Sequence, residues 1–301
     1  MYQLRLLALL IMSLVLSACG GGSSNGSGSG TLSVSLTDSP VVGADKVVIY
    51  FTSVQVHEAD GSTTDVNVID PVTKTAGRSV DLLQLQGTKS LVLFDKELPA
   101  GNYDWMRLQV DFDPGKTYIQ IGGKQYALNC TSCQNNGYKL NRSFKVNDAA
   151  VMAYSVDFDL TKSITLANGI YHLRPTLRVV ETAASGNLSG SVDSTLISSL
   201  GGETGCAVYV YDGSNVLAND IYLPEGSALP FEHHNPVATA MMDATTHQYT
   251  VGYLAAGDYT AALTCDAEND NASTQDPGVT FHGTANITIQ SGQTTTHDFT
   301  L

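Results

Sequence analysis

Two pairs of aspartates are spaced for acid–base work. Asp111-x-Asp113 and Asp157-x-Asp159 lie in stretches that alternate apolar and polar residues, so each pair puts two carboxylates on one strand face. Paired carboxylates cleave glycosidic bonds at separations of about 5–9.5 Å, and a hydrolase using Asp157 and Asp159 is one reading. Asp266-x-Glu268-x-Asp270, with Asp276, forms an acidic loop of the oxygen type that calcium prefers. The glycine and the distal glutamate of an EF-hand are missing, and a solvated acidic surface is the expectation. Glu232-His233-His234-Asn235 follows Pro230. Adjacent histidines on a strand point to opposite faces, so an exposed polar loop is expected rather than a metal site. His57-Glu58 lacks the second histidine of a zincin helix. Cys130-x-x-Cys133 sits in an Asn/Ser/Thr/Gln-rich turn, without the helix N-terminus or cation that activates a thiol, and reads as a structural staple. The expected set of catalytic residues, cofactors and bound metals is empty.

The fifth thiol, Cys19, follows Leu16-Ser17-Ala18 and an apolar run over residues 6–16 that Arg5 precedes. That run is too short to cross ~30 Å of hydrocarbon as a helix, which takes roughly 20 residues. It suits the apolar region of a signal peptide, about 7–15 residues long. The leucine, the small residues and the cysteine resemble the lipobox of bacterial lipoproteins. The resemblance implies a diacylglycerol on the Cys19 thiol, cleavage after Ala18 and acylation of the new amine. Several chains anchor stably where one is marginal. By the same resemblance, the non-acidic Gly20 implies sorting to the outer membrane.

Without residues 1–18 the chain carries 14 Lys+Arg against 29 Asp+Glu, a formal net charge of −15. Such a surface repels phosphate backbones and argues against nucleic acid as a partner. Anionic lipid is repelled too, so contact with the membrane is expected through the lipid on Cys19. Residues 20–30 are only Gly, Ser and Asn, a flexible tether of roughly 15–20 Å.

The elements that must position these groups are strands. Apolar residues alternate at Leu32, Val34 and Leu36, the period of a half-buried strand, and Thr37-Asp38-Ser39-Pro40 reads as a turn. Further strands are expected over residues 46–57, 91–94, 103–112, 116–121, 124–128, 138–146, 151–160 and 169–180, with Gly122-Gly123 a two-residue hairpin turn. Residues 79–85 read as either a strand or a helical turn. Ser185-Gly186-Asn187 marks a boundary. Beyond it, short strands over residues 188–192, 206–211, 219–223, 236–242, 248–253, 259–266, 285–289 and 294–301 have the spacing of a small sandwich. Leu98-x-Ala-Gly-x-Tyr103 and Leu254-x-Ala-Gly-x-Tyr259 repeat one pattern: a tight turn whose glycine supplies a positive φ and whose tyrosine enters the core. The organisation is a signal peptide (1–18), a lipidated cysteine and linker (19–30), and two all-β, sandwich-like domains (31–183 and 186–301). Four cysteines outside the anchor allow three pairings. The domain split favours Cys130–Cys133 and Cys206–Cys265, which an oxidising compartment permits.

Residues 31–182 resemble a bacterial lipoprotein family known as domain of unknown function 4382. The carriers are Leu32-Ser-Val-Ser-Leu-Thr-Asp-Ser-Pro40, Leu98-Pro-Ala-Gly-Asn-Tyr103 with Met106-Arg-Leu108, Tyr138-Lys-Leu-Asn141, Val156-Asp-Phe-Asp-Leu160 with Lys162-Ser-Ile164, and Leu173-Arg-Pro-Thr-Leu-Arg178. The resemblance implies an exported β domain and brings no activity. Asn129-Cys-Thr-Ser-Cys133 departs from the family, which tends to carry a Pro-Ser turn there. Residues 186–301 resemble a carboxypeptidase regulatory-like, transthyretin-type sandwich, through Pro236-Val-Ala-Thr-Ala240 and Tyr249-Thr-Val-Gly-Tyr-Leu-Ala-Ala-Gly-Asp-Tyr-Thr260, again without catalysis. The expected function is a membrane-anchored envelope lipoprotein, a non-catalytic binding, display or structural module with a protein or glycan partner. The alternatives are an envelope hydrolase using paired carboxylates or a calcium-binding surface protein.

Overall fold

The computed structural model describes residues 28–39, 43–113, 115–131, 133–134, 136–201, 205–223, 233–276 and 278–301. The signal segment, Cys19, linker residues 20–27 and Glu232 lie outside the described residues.

Among the described residues, fourteen strands precede Thr182: β1 Ser29–Ser39, β2 Lys46–Glu58, β3 Thr63–Asn67, β4 Arg78–Asp81, β5 Leu91–Pro99, β6 Gly101–Asp111, β7 Tyr118–Ile121, β8 Lys124–Asn129, β9 Tyr138–Leu140, β10 Phe144–Val146, β11 Val151–Asp159, β12 Ile164–Ala167, β13 Ile170–Leu173 and β14 Leu177–Glu181. They form a four-stranded sheet, β14-β11-β1-β5, and a ten-stranded sheet built around β2 and β6. One apolar core lies between them. It takes Leu32, Val34 and Leu36 from β1, Val156 and Phe158 from β11, and Ile49, Phe51 and Val54 from β2. The 79–85 stretch is both things in turn: β4, then a 3₁₀ turn over Leu82–Leu85 whose Leu82 and Leu85 are buried. At the β7–β8 hairpin Gly122 and Gly123 have φ of 56° and 78°, which a two-residue turn of this hand requires.

Seven more follow among the described residues: β15 Ser185–Ser191, β16 Ala207–Asp212, β17 Ala238–Met241, β18 Gln248–Ala255, β19 Gly257–Thr264, β20 Thr284–Ile289 and β21 Thr294–Thr296, with a short helix, α1, at Ser194–Ser199. The sheets β18-β15-β21 and β17-β16-β19-β20 close over a second core of Leu188, Val208, Val210, Tyr249, Val251, Ala261, Leu263 and Ile287. The architecture is all-β, two sandwich-like modules in sequence. Residues 219–223 are not a strand. The Ile221 and Tyr222 amides bond the side chains of Asp270 and Asn235, so those donors are taken from any sheet.

The two repeated motifs fold alike. Tyr103 and Tyr259 are buried, and each hydroxyl donates to the carbonyl four residues upstream, Pro99 at 2.9 Å and Ala255 at 2.8 Å. The positive-φ expectation is corrected: neither Gly101 nor Gly257 is among the left-handed residues. The backbone passes straight from one strand into the next, and the tyrosine hydroxyl closes the corner.

Candidate functional site

The chemistry-bearing groups converge where the modules meet. β1 runs parallel to β11, pairing Thr37 with Asp157 and Ser39 with Asp159; β14 pairs Asp157 with Arg178. Stretches far apart in sequence thereby put Asp38, Asp157, Asp159, Lys162 and Arg178 at one end of the four-stranded sheet. Asp157 and Asp159 do share a strand face, and each has its own cation. The Arg178 guanidinium donates to Asp157 Oδ2 at 2.6 Å, and the Lys162 ammonium to Asp159 Oδ2 at 2.5 Å. All but Arg178 are over nine-tenths buried.

Both cations also reach into the second module. Arg178 donates to the Tyr253 carbonyl at 2.5 Å and the Gly252 carbonyl at 3.3 Å, and Lys162 to the Pro236 carbonyl at 2.5 Å. Tyr253 is held in a left-handed conformation, φ 54°, which costs a non-glycine residue about 1–3 kcal/mol. Three bonds fix it there: its amide to Asn187 Oδ1, its carbonyl from Arg178, and its hydroxyl to the Thr88 carbonyl. Beside it a Cβ on Gly252 would meet the Gly87 carbonyl oxygen at 2.1 Å, so only glycine lets the two backbones touch.

Asp38 is the residue that sequence reasoning missed, having placed it in a turn. It ends the apolar side of β1 after Leu32, Val34 and Leu36. It is 4% exposed, and neither carboxylate oxygen has a hydrogen-bond partner among the described residues. Burial, and then the Asp157, Asp159 and Asp81 carboxylates, hold its pKa well above the carboxylate range, although the Leu160 amide lowers it somewhat. A cavity of about 250 Å³ separates the modules here, lined by Asp38, Asp157 and Arg178 from one and Thr239, Asp243 and Gln248 from the other. Asp157 is tied to Arg178, and Asp243 accepts from the Thr245 and Thr246 amides. A wider cleft of about 620 Å³ is lined by Lys162, His172 and Arg174 with Leu223 and Ala272.

The other expected groups are dispersed. β6 ends at Asp111, so Asp113 lies in the following turn rather than on a shared strand face, and Lys116 bridges both carboxylates at 2.5 and 3.6 Å. In the acidic loop Asp266 accepts from Thr280 and leaves the group, while Asp220, fifty residues before Asp270, joins it. Asp220, Asp270 and Asp276 bring carboxylate oxygens within 4.8 Å of one another, a set able to hold a metal ion. Each also has protein donors: Asp270 accepts from the Tyr209 hydroxyl and Ile221 amide, Asp276 from the Asn271 amide, and Asp220 from the Asp276 amide. Burial raises the Asp270 pKa to about 6. His233 is buried and its Nε2 meets the Asp220 carbonyl at 3.0 Å, so it is no exposed loop residue. The four cysteines form two disulfides, Cys130–Cys133 and Cys206–Cys265. The first pair is buried in the first core, and Cys206 lies in the second with Cys265 packed against it.

Residues 29–175 match the family described as Domain of unknown function (DUF4382); that description names no activity. No curated protein matches the sequence. Solved structures that match include the Bacillus anthracis TIE protein (9% identity, 90% of this chain and 33% of that one, TM-score 0.22). Others are the minor pilin GBS52 of Streptococcus agalactiae (10% identity, 89% and 94%, TM-score 0.21) and the major pilin subunit of Bacillus cereus (9% identity, 90% and 99%, TM-score 0.21). This chain spans about a third of the TIE protein. No function is carried over from them.

Proposed function

We propose that the chain is a non-catalytic protein of the bacterial cell envelope, held in the outer membrane by lipid on Cys19, that presents two β modules as one rigid unit to a protein or glycan. On this reading residues 186–301 are a carboxypeptidase regulatory-like module, and the Gly/Ser segment lifts both modules off the bilayer. The observation that carries it is the fate of the carboxylates. A hydrolase needs one carboxyl to meet substrate and another to stabilise or attack. Asp157 and Asp159 instead pair with Arg178 and Lys162, which also donate to backbone carbonyls of the second module. The groups best suited to catalysis hold the modules together.

Cell fractionation tests the anchor. The parent is expected with membranes, and Cys19→Ser as an unprocessed precursor. A processed Cys19→Ser protein that partitions as the parent does would overturn the assignment. Pull-down of the intact lipidated protein from envelope extracts then identifies what it displays its loops to.

A further inference from the structure

We propose that the outer face of the ten-stranded sheet carries a docking patch for a carboxylate-bearing sugar, centred on Trp105. This names a partner class for the display reading above and rests on that reading for its setting. Trp105 is the chain's one tryptophan. It sits half-buried on β6, between β2 and β9. His57 of β2 lies opposite it in register and stacks on the ring at 4.7 Å between centroids, with planes 11° apart. Arg107, two residues along β6, and Lys139, its partner on β9, each lie 4.7 Å from the ring centroid. His57 Nδ1 is fixed by Thr63 Oγ1 at 2.9 Å, and Arg107 by Gln55 Oε1 at 3.0 Å.

Cross-strand register, not chance crowding, thus gathers two permanent cations and an imidazole around one indole. The chain has only 15 Lys+Arg against 29 Asp+Glu. Among the described residues, neither Arg107 nor Lys139 makes an ion pair with an acid. The nearest candidates by register and sequence, Asp65 and Asp104, make no ion pair with them. The indole N–H has no hydrogen-bond partner among the described residues. The patch therefore offers ammonium, guanidinium and indole donors, while Gln55 Oε1 and Thr63 Oγ1 are already engaged by Arg107 and His57. Its complement is an anion rich in acceptors. Carboxylate–guanidinium bonds are the strong, oriented ones, and the half-buried indole, held by His57 and the two cations, leaves its solvent-facing part for the sugar ring to pack beside. The net charge of the chain limits the ligand's size. At physiological salt, fields fall off over ~8 Å, so a short acidic sugar feels the patch while a long polyanion also meets the acidic surface around it.

The tryptophan makes the test specific. Detergent-solubilised, lipidated protein is titrated with trigalacturonate, with maltotriose as neutral control and tri-glutamate as a non-sugar anion, while indole emission is recorded. The expected result is a saturable change with trigalacturonate alone, at least a tenfold loss of affinity in an Arg107→Ala/Lys139→Ala variant, and weakening as salt rises. No saturable change, an equal response to maltotriose or tri-glutamate, or unchanged affinity in the variant overturns the proposal. Should the double variant fail to fold by circular dichroism, Lys139→Ala alone, at an exposed position, decides between the same outcomes. A failed anchor in fractionation would sink the display reading and leave this titration intact.

Discussion

Asp157 and Arg178 face each other across β11 and β14 in direct register, 2.6 Å apart, and the same guanidinium carries the contact into the second module at Gly252 and Tyr253. One side chain thereby couples a charge buried in the first module to backbone groups that would otherwise lose solvent unpaired. Removing it leaves the Asp157 carboxylate without its cation and two carbonyls without a donor. Arg178→Ala is expected to cost about 3 kcal/mol, the lower end for breaking a buried pair, because the side chain keeps some solvent contact. Calorimetry should show the second module losing the stabilisation it draws from the first, with two separated transitions. A single transition within about 0.5 kcal/mol of the parent would mean that the modules are held by something else.

The disulfide between Cys206 and Cys265 joins neighbouring strands. Ala207 pairs with Thr264 in the antiparallel β16–β19 ladder, which places the two cysteines directly opposite at the strand ends, with Cα atoms 3.7 Å apart. The sequence separation is 59 residues, and a loop of that size lost from the unfolded ensemble stabilises by about 4 kcal/mol in the chain-entropy model. Cys206→Ala is expected to lower the melting of the second module by that order. Cys130→Ala should do less through loop entropy, since its loop spans three residues. Non-reducing peptide mapping is the check: Cys206 found alkylatable, or joined to Cys130 or Cys133, would refute the pairing.

Period-two alternation made most strands legible, because burial on one face leaves its mark residue by residue at Leu32, Val34 and Leu36. What it could not supply was which strands lie side by side. The parallel pairing of β1 with β11 joins residues 31–39 to 151–159, and only that pairing makes Asp38, Asp157 and Asp159 neighbours. Thr37-Asp38-Ser39-Pro40 looked like a turn because its residue types favour turns, yet tertiary pairing keeps residues 37–39 in the strand. Asp220 and Trp105 had no local signal at all: the first joins the acidic loop through the Ile221 and Asp276 amides, and the second gains its cations by cross-strand register. At residues 219–223, a strand-like composition lost to side-chain acceptors that no alternation reveals.

Asp38 gives the structure a measurable dependence on pH. Its two oxygens are buried and have no hydrogen-bond partner among the described residues, and ionising it would place a charge beside three other carboxylates. Burial and those neighbours raise its folded pKa well above the carboxylate range, whereas the unfolded chain keeps the ordinary value. Between the two values the folded state holds a proton that the unfolded state has released, so stability falls as pH rises. The contribution is fully present below the ordinary carboxylate range and is lost as pH climbs through the raised value. Asp38→Asn keeps the shape of the neutral acid and cannot ionise. It is expected to melt close to the parent in acid, and to gain on the parent steadily as pH rises above the ordinary carboxylate range. Melting temperatures of both proteins, taken across the pH range in one buffer series, isolate this group from every other carboxylate. Parallel curves for parent and variant would mean that Asp38 titrates as an ordinary aspartate, with a partner that the sealed geometry excludes.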